Sequence, residues 1–276
     1  MAGGGMMDKR DEETFSWDAE DYRQSSSQQK KWGRELLLKL HLAGDERVLD
    51  IGCGDGKLTA ELAGRLPRGF VLGIDSSEEM IGFAREAFPP ERYPNLAWEV
   101  RDARDLDYED RFDVVFSNAV LHWIRDHLPV LEGIERSMKP GGVALLQMGG
   151  KGNAAEVVKV MARVMGREEW SGYFKDFTTT YGFYGPEEYT GWLIQVGLTP
   201  RRVEFVFKDM VHQGREGLAA WIRTTWLPFT QRIPEGLRAR FIYEIVDGYI
   251  MRYPAGADGL VHVEAIRLEV EAGKRR

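Results

Sequence analysis

The chain has 276 residues, 43% of them hydrophobic and 29% charged, the balance of a soluble globular protein with length for one large domain or two small ones. No run approaches the roughly 18–20 apolar residues of a membrane span, the amino terminus lacks the basic-then-apolar plan of a signal peptide, and the lone Cys53 excludes an internal disulfide or thiolate zinc cluster and suits the cytoplasm. A formal net charge of -7 argues against a broad nucleic-acid-binding face but leaves an acidic small molecule open, because a few buried arginines decide that locally.

The opening residues are polar and rich in glycine and acid, the composition of a disordered start. From Gln28 to Leu42, Trp32, Leu36, Leu37, Leu40 and Leu42 fall at helical spacing. Apolar runs then predict strands over 47–52, 70–75, 96–101, 112–117 and 143–148. Helical patterns separate them over 57–66, 77–88 and 128–138, and Lys139-Pro140-Gly141-Gly142 reads as a turn. Continuous apolar strands alternating with helices mean a parallel sheet covered on both faces. Beyond it, 186–196 reads as a helix, 201–207 as a strand with alternating faces, and 262–270 as a strand able to pair with it. Aromatic-rich helical stretches interrupt this part.

Val48-Leu49-Asp50-Ile51-Gly52-Cys53-Gly54-Asp55-Gly56 is the strongest local signal: a strand running into Gly-x-Gly-x-Gly, then a helix. In a doubly wound sheet, ligands sit outside the carboxyl ends of the strands, where glycines let them approach the backbone. The next strand ends in Asp75, placed to accept hydrogen bonds from a ribose diol. The third glycine comes one residue too early for the dinucleotide fingerprint, which disfavours a nucleotide-dependent dehydrogenase. The acidic Asp50 would repel a pyrophosphate but can anchor an ammonium group directly or through water.

With three further motifs the chain resembles the class I S-adenosylmethionine (SAM) methyltransferases. These are Arg101-Asp102-Ala103 after the third strand, Phe112 to Ala119 on the fourth, and Met138 to Gly142 before the fifth. The resemblance implies a doubly wound, Rossmann-like, seven-stranded α/β sheet. It divides the chain into an arm and helix (1–45), a SAM-binding core (46–150), a first cap insertion (151–185), a core helix and strand (186–212), a second cap insertion (213–256) and a last strand (257–276). It implies SAM contacts from Asp50, Gly52, Cys53, Gly54, Asp75, Ser76, Asp102, Ala103, Asn118, Ala119 and Trp123. Tyr22 and Gln29 resemble the closing arm of juvenile-hormone-acid and biotin-pathway methyltransferases, with the tyrosine over the cofactor and the glutamine at its methionine end. Asn118-Ala119-Val120-Leu121-His122-Trp123 and Trp221 to Phe229 resemble the trans-aconitate methyltransferase group.

Methyl transfer from a sulfonium needs alignment, exclusion of water and a nucleophile in the right protonation state. A carboxylate is already ionised, whereas an amine, phenol or carbon acid usually needs a base. His122 is the imidazole beside the expected reaction centre, and binding, base and packing roles are all open to it. An aromatic cap over a sheet edge makes an apolar chamber with a few polar clamps. His122, Trp123, Trp221, Arg223 and Trp226 are the substrate candidates, with Arg223 as carboxylate clamp against a surface ion pair as its alternative. The expected activity is SAM-dependent methylation of a small, anionic acceptor to a methyl ester, with no metal, nucleic acid or membrane involved. N- or C-methylation with His122 as base, or SAM binding without transfer, are the alternatives.

Overall fold

The structure is a computed structural model and describes residues 27–276. Its centre is a seven-stranded sheet of order β3-β2-β1-β4-β5-β7-β6. The strands are β1 (Arg47–Ile51), β2 (Phe70–Asp75), β3 (Leu96–Val100), β4 (Phe112–Asn118), β5 (Met138–Gly149), β6 (Leu198–Gln213) and β7 (Leu260–Lys274). The first five run parallel, and β7 runs antiparallel to both β5 and β6. β1 pairs with β2 on one side and β4 on the other, so the strand order reverses there. Open α/β sheets place their ligands at such a switch point, outside the carboxyl ends of the strands.

Helices α1 (Ser27–Leu37), α2 (Lys57–Ala63), α3 (Glu78–Ala87), α4 (Leu128–Ser137) and α7 (Pro186–Gln195) flank the sheet. Between β5 and α7 come α5 (Ala155–Met165) and the single turn α6 (Glu168–Ser171). Between β6 and β7 come α8 (Gly214–Thr225), α9 (Leu227–Thr230) and α10 (Glu235–Arg252). These two excursions form one cap: α10 packs on α5 and α8, and Trp170, Phe241, Ile245 and Val160 share a buried cluster with Trp221 and Trp226. The sheet has separate clusters on its two faces, one around Ile51, Val115 and Leu146, the other around Leu37, Val48 and Phe116. Among the described residues no helix is long and apolar enough to cross a membrane.

Several elements end where the apolar pattern alone does not stop them. α1 closes at Leu37, and Leu40 and Leu42 pack on the core from a loop, while Lys39 reaches across to Glu269. The expected turn at Lys139–Gly142 is drawn into β5 instead. Met138 pairs with Phe112 and the ladder resumes at Val143 with Val114, leaving an irregularity in which Gly141 has φ 86°. β6 and β7 extend well past the alternating stretches expected of them because they pair along their whole length, from Leu198–Lys274 to Gln213–Leu260. Glu269 on β7 is buried, with its carboxylate held by Lys39, by Arg202 Nη1 at 2.7 Å and by Gln147 Nε2 at 2.9 Å. Burial alone would raise its pKa. Lys39, Arg202 and Gln147 outweigh that and hold the carboxylate below its usual range.

Candidate active site

The glycine loop is pinned by its own backbone. Gly52 N–H and Cys53 N–H both donate to the Ile74 carbonyl, at 2.8 and 2.9 Å, and Gly56 N–H closes a turn onto Cys53 O at 3.1 Å. Gly52, Gly54 and Gly56 all have positive φ (72°, 54° and 77°), which only glycine adopts without strain. Their surroundings differ. A Cβ on Gly52 would lie 2.1 Å from Val120, and one on Gly56 would lie 2.5 Å from Trp98, whereas nothing lies within 4 Å of a Cβ on Gly54. The loop is therefore packed from beneath at its two ends and open above its middle.

Asp75 faces that opening. Its Oδ2 accepts from Gly54 N–H at 3.0 Å and its Oδ1 from Ser77 N–H at 2.9 Å, and each oxygen has a further lone pair able to accept. Burial raises its pKa, with the Ser77 and Gly54 N–H groups opposing. Asp102 follows β3 and caps a 3-10 turn at Ala103–Asp105; its Oδ1 accepts from Arg104 N–H at 2.8 Å, and Arg104 Nη2 donates to its Oδ2 at 2.7 Å. Asp50 lies deeper, 3% exposed, with the Thr59 hydroxyl donating to its Oδ2 at 2.6 Å. Burial, reinforced by the nearby Asp75, pushes its pKa up to about 7 against the pull of Thr59. So placed, Asp50 braces the floor of the loop and does not stand in the opening. Cys53 is buried beside Gly73, its thiol pushed up by that burial, which suits a packing role. Ser76 is exposed beside Asp75. Tyr22 lies outside the described residues, and Gln29 lies in the first turn of α1.

On the other side of the switch point, β4 ends in strain. Ala119 has φ 62° and is fixed there by its N–H donating to Gln147 O at 2.7 Å. The chain then turns through a 3-10 turn, Leu121–Trp123, that presents His122 and Trp123 to a cavity under the cap. α1 approaches so closely that a Cβ on Gly33 would lie 2.8 Å from Asn118 Nδ2. The cavity is lined by Trp32, Ala119, His122, Trp123, Asn153, Tyr181, Phe183, Met210, Trp221, Thr225, Trp226 and Arg267. Gly182 N–H donates to His122 O at 3.0 Å, so the cap is tied directly to this turn. The His122 ring stacks with Phe183 (centroids 5.9 Å apart, planes 18° apart) and Tyr181 (6.2 Å, 24°). Its Nδ1 receives Gly149 N–H at 3.4 Å, which makes Nε2 the protonated nitrogen. Burial, with the Arg267 charge adding to it, holds its pKa well below 6.5.

Of the substrate candidates read from the sequence, His122, Trp123, Trp221 and Trp226 meet in this cavity. Arg223 does not: it is exposed on α8 while its neighbours Trp221, Ile222 and Thr224 turn inward. Helical periodicity explains the difference, since one position cannot share the buried face with both flanking residues. The sequence reading missed Arg267, which the alternation of β7 buries with Glu269 on one face, along with the cavity roles of Trp32, Asn153, Met210 and Thr225. In the sequence Arg267 alternates with Ile266, Leu268 and Val270, so nothing there marks it as inward-facing.

A glycine loop open above Gly54, with Asp75 bonded to it and Asp102 just past β3, lies at the carboxyl edge of this sheet and fits the adenosyl ligand of a class I SAM-dependent methyltransferase. The comparisons agree. A methyltransferase-domain family profile matches residues 42–178. A trans-aconitate 2-methyltransferase of Methylobacterium nodulans is 32% identical over 94% of this chain and 99% of its own, and one of Deinococcus radiodurans is 31% identical over 83% and 88%. The YcgJ protein of Bacillus subtilis shares the fold, with a TM-score of 0.64 at 16% identity over 90% of this chain and 99% of that one. The chain belongs to the methyltransferase family of these relatives, and its methyl donor is SAM.

Proposed function

We propose that the protein methylates a carboxylate oxygen of a small organic acid, releasing a methyl ester. One observation carries this reading: among the described residues, no side chain lining the cavity is placed to serve as a base. No aspartate or glutamate is present in the wall. Tyr181 donates its hydroxyl to Thr225 O, and burial raises its pKa far above 10. His122 takes Gly149 N–H on its Nδ1 and is too weak a base near neutrality to take a proton from an amine, phenol or carbon acid. A carboxylate needs none of them.

SAM supplies an electrophilic methyl group on a sulfonium, whose departure leaves a neutral thioether. Gly54, Asp75 and Asp102 would hold its adenosyl part. The residues of the acceptor side align and desolvate. Trp123, Tyr181, Phe183, Trp221 and Trp226 keep water from the nucleophile, which matters because hydration stabilises a carboxylate more than the charge-neutralised transition state. His122 Nε2–H orients the acid without moving a proton. The names of the relatives from M. nodulans and D. radiodurans make trans-aconitate the first acid to try.

The test is transfer of labelled methyl to a panel of acids, amines and phenols led by trans-aconitate, followed by alkali. An alkali-labile label on an acid is expected, and a label that survives alkali overturns the reading. The pH profile is a second arm: kcat/KM shows no step near 6.5 that His122→Ala removes.

A further inference from the structure

Arg267 is the only formally charged side chain in the cavity wall among the described residues. It lies on β7, opposite Gly149 of β5 and Val206 of β6, and is 5% exposed. Its guanidinium carbon sits 5.6 Å from the centre of the Trp32 ring on α1. An arginine keeps its charge at any pH a protein meets, so this wall of aromatic rings and amides carries a fixed positive charge. Asn153 adds to the same polarity: its Oδ1 already accepts from Ile266 N–H at 3.1 Å, which leaves its Nδ2 to donate. Two residues along the same strand, Glu269 shows a buried charge in a structural setting, enclosed by Lys39, Arg202 and Gln147 and no part of the cavity wall. Arg267 also stands apart from the cofactor residues. In the strand order, β4 and β5 separate β7 from β1 and its glycine loop.

We propose that Arg267 is the anion clamp of the acceptor subsite, holding a carboxylate of the methyl acceptor by charge-assisted hydrogen bonds while the aromatic wall takes its carbon skeleton. The inference rests on the reading of the acceptor as an acid, and names the residue that selects it. Trp32 braces one face of the guanidinium, and its planar edge offers the paired N–H groups that match a carboxylate. Trp32 belongs to α1, so the clamp forms only when that helix is docked on the sheet.

Arg267→Met and Arg267→Lys test the clamp by calorimetry. Trans-aconitate is titrated into protein saturated with S-adenosylhomocysteine, and S-adenosylhomocysteine separately into the ligand-free protein. Arg267→Met is expected to weaken acid binding, and to raise the acid's KM, by about 10–100-fold. S-adenosylhomocysteine affinity stays within about twofold. Arg267→Lys, a point charge without the planar fork, should weaken acid binding by at least about fivefold, and it carries the test if the Met variant does not fold. Acid affinity equal to wild type in either variant overturns the clamp. So does a parallel loss of S-adenosylhomocysteine, which would make Arg267 a cofactor or structural residue, and so does a wild type that binds no acid. Acid binding to wild type without ester formation retires the ester reading and leaves the clamp. Ester formation with an unchanged KM in Arg267→Met does the reverse.

Discussion

On the β1–β3 side of the switch point the cleft is made largely of backbone, and on the β5–β7 side largely of side chains. Gly52, Gly54 and Gly56 present main-chain atoms, with their N–H groups donating to Ile74 O, Asp75 Oδ2 and Cys53 O in turn. Their few side-chain helpers, Asp50, Asp75 and Asp102, come from strand ends close by in sequence. The cavity under the cap instead collects Trp32 from α1, His122 and Trp123 after β4, Tyr181 and Phe183 from the first cap segment, Trp221 and Trp226 from the second, and Arg267 from β7. A backbone cradle suits an invariant ligand, since its geometry follows from a handful of φ angles. A side-chain chamber can be refitted to a new acceptor without touching that cradle. The two halves should therefore fail differently when altered.

The largest expected effect is proton-linked and belongs to the cofactor half. Asp50 ionises near 3.9 in an unfolded chain and at about 7 in the folded one. Between those values the folded state keeps a proton that the unfolded state has lost. Unfolding then releases a proton, so stability falls as pH rises through this window and levels off above it. The span is on the order of 3–5 kcal/mol. Asp50→Asn should flatten that part of the stability-against-pH curve for the ligand-free protein, measured by denaturant melts from pH 4 to 8. An unchanged slope would place the titrating group elsewhere.

Next come the paired glycines. Gly52→Ala puts a methyl group 2.1 Å from Val120 in a left-handed conformation and should cost about 3 kcal/mol of stability, seen as a lower melting temperature before any ligand is added. Gly54→Ala meets nothing within 4 Å, so it should cost only the backbone strain of about 1–2 kcal/mol while blocking the ligand's approach. Its signature is SAM affinity lost out of proportion to stability. Equal behaviour of the two variants would erase the distinction between packed and open loop positions.

Asp75→Ala should weaken SAM about ten- to a hundredfold, roughly 1.5–3 kcal/mol, by calorimetry, and leave the affinity of a saturating acid little changed. The smallest effect is expected at Arg223. As an exposed residue on the outer face of α8, its change to Ala should move the acid's KM by no more than about twofold in steady-state assays. A tenfold rise would return the clamp to α8 and away from β7.

The difference between the halves also explains what was legible. Glycine spacing, a strand-end acid and the alternation of apolar strands with helices are local patterns, and they foretold the parallel part of the sheet and the positions of Asp50 and Asp75, while the family resemblance added Asp102 and the seven-stranded whole. Trp221, Trp226, His122 and Trp123 were picked out by short resemblances and do meet in one cavity. Arg223 was chosen because it sits between two of those tryptophans in the chain, but on a helix it points about 200° away from Trp221, two residues before it. Arg267 was hidden for the converse reason: nothing near it in sequence belongs to the site. Its place depends on which face of β7 turns inward, on β7 inserting between β5 and β6, and on α1 folding back to set Trp32 against it. The backbone cradle could be read from the chain, because hydrogen bonds and φ angles within short segments build it. The cavity under the cap could not, because its walls are surfaces that do not exist until segments distant in the chain are packed together.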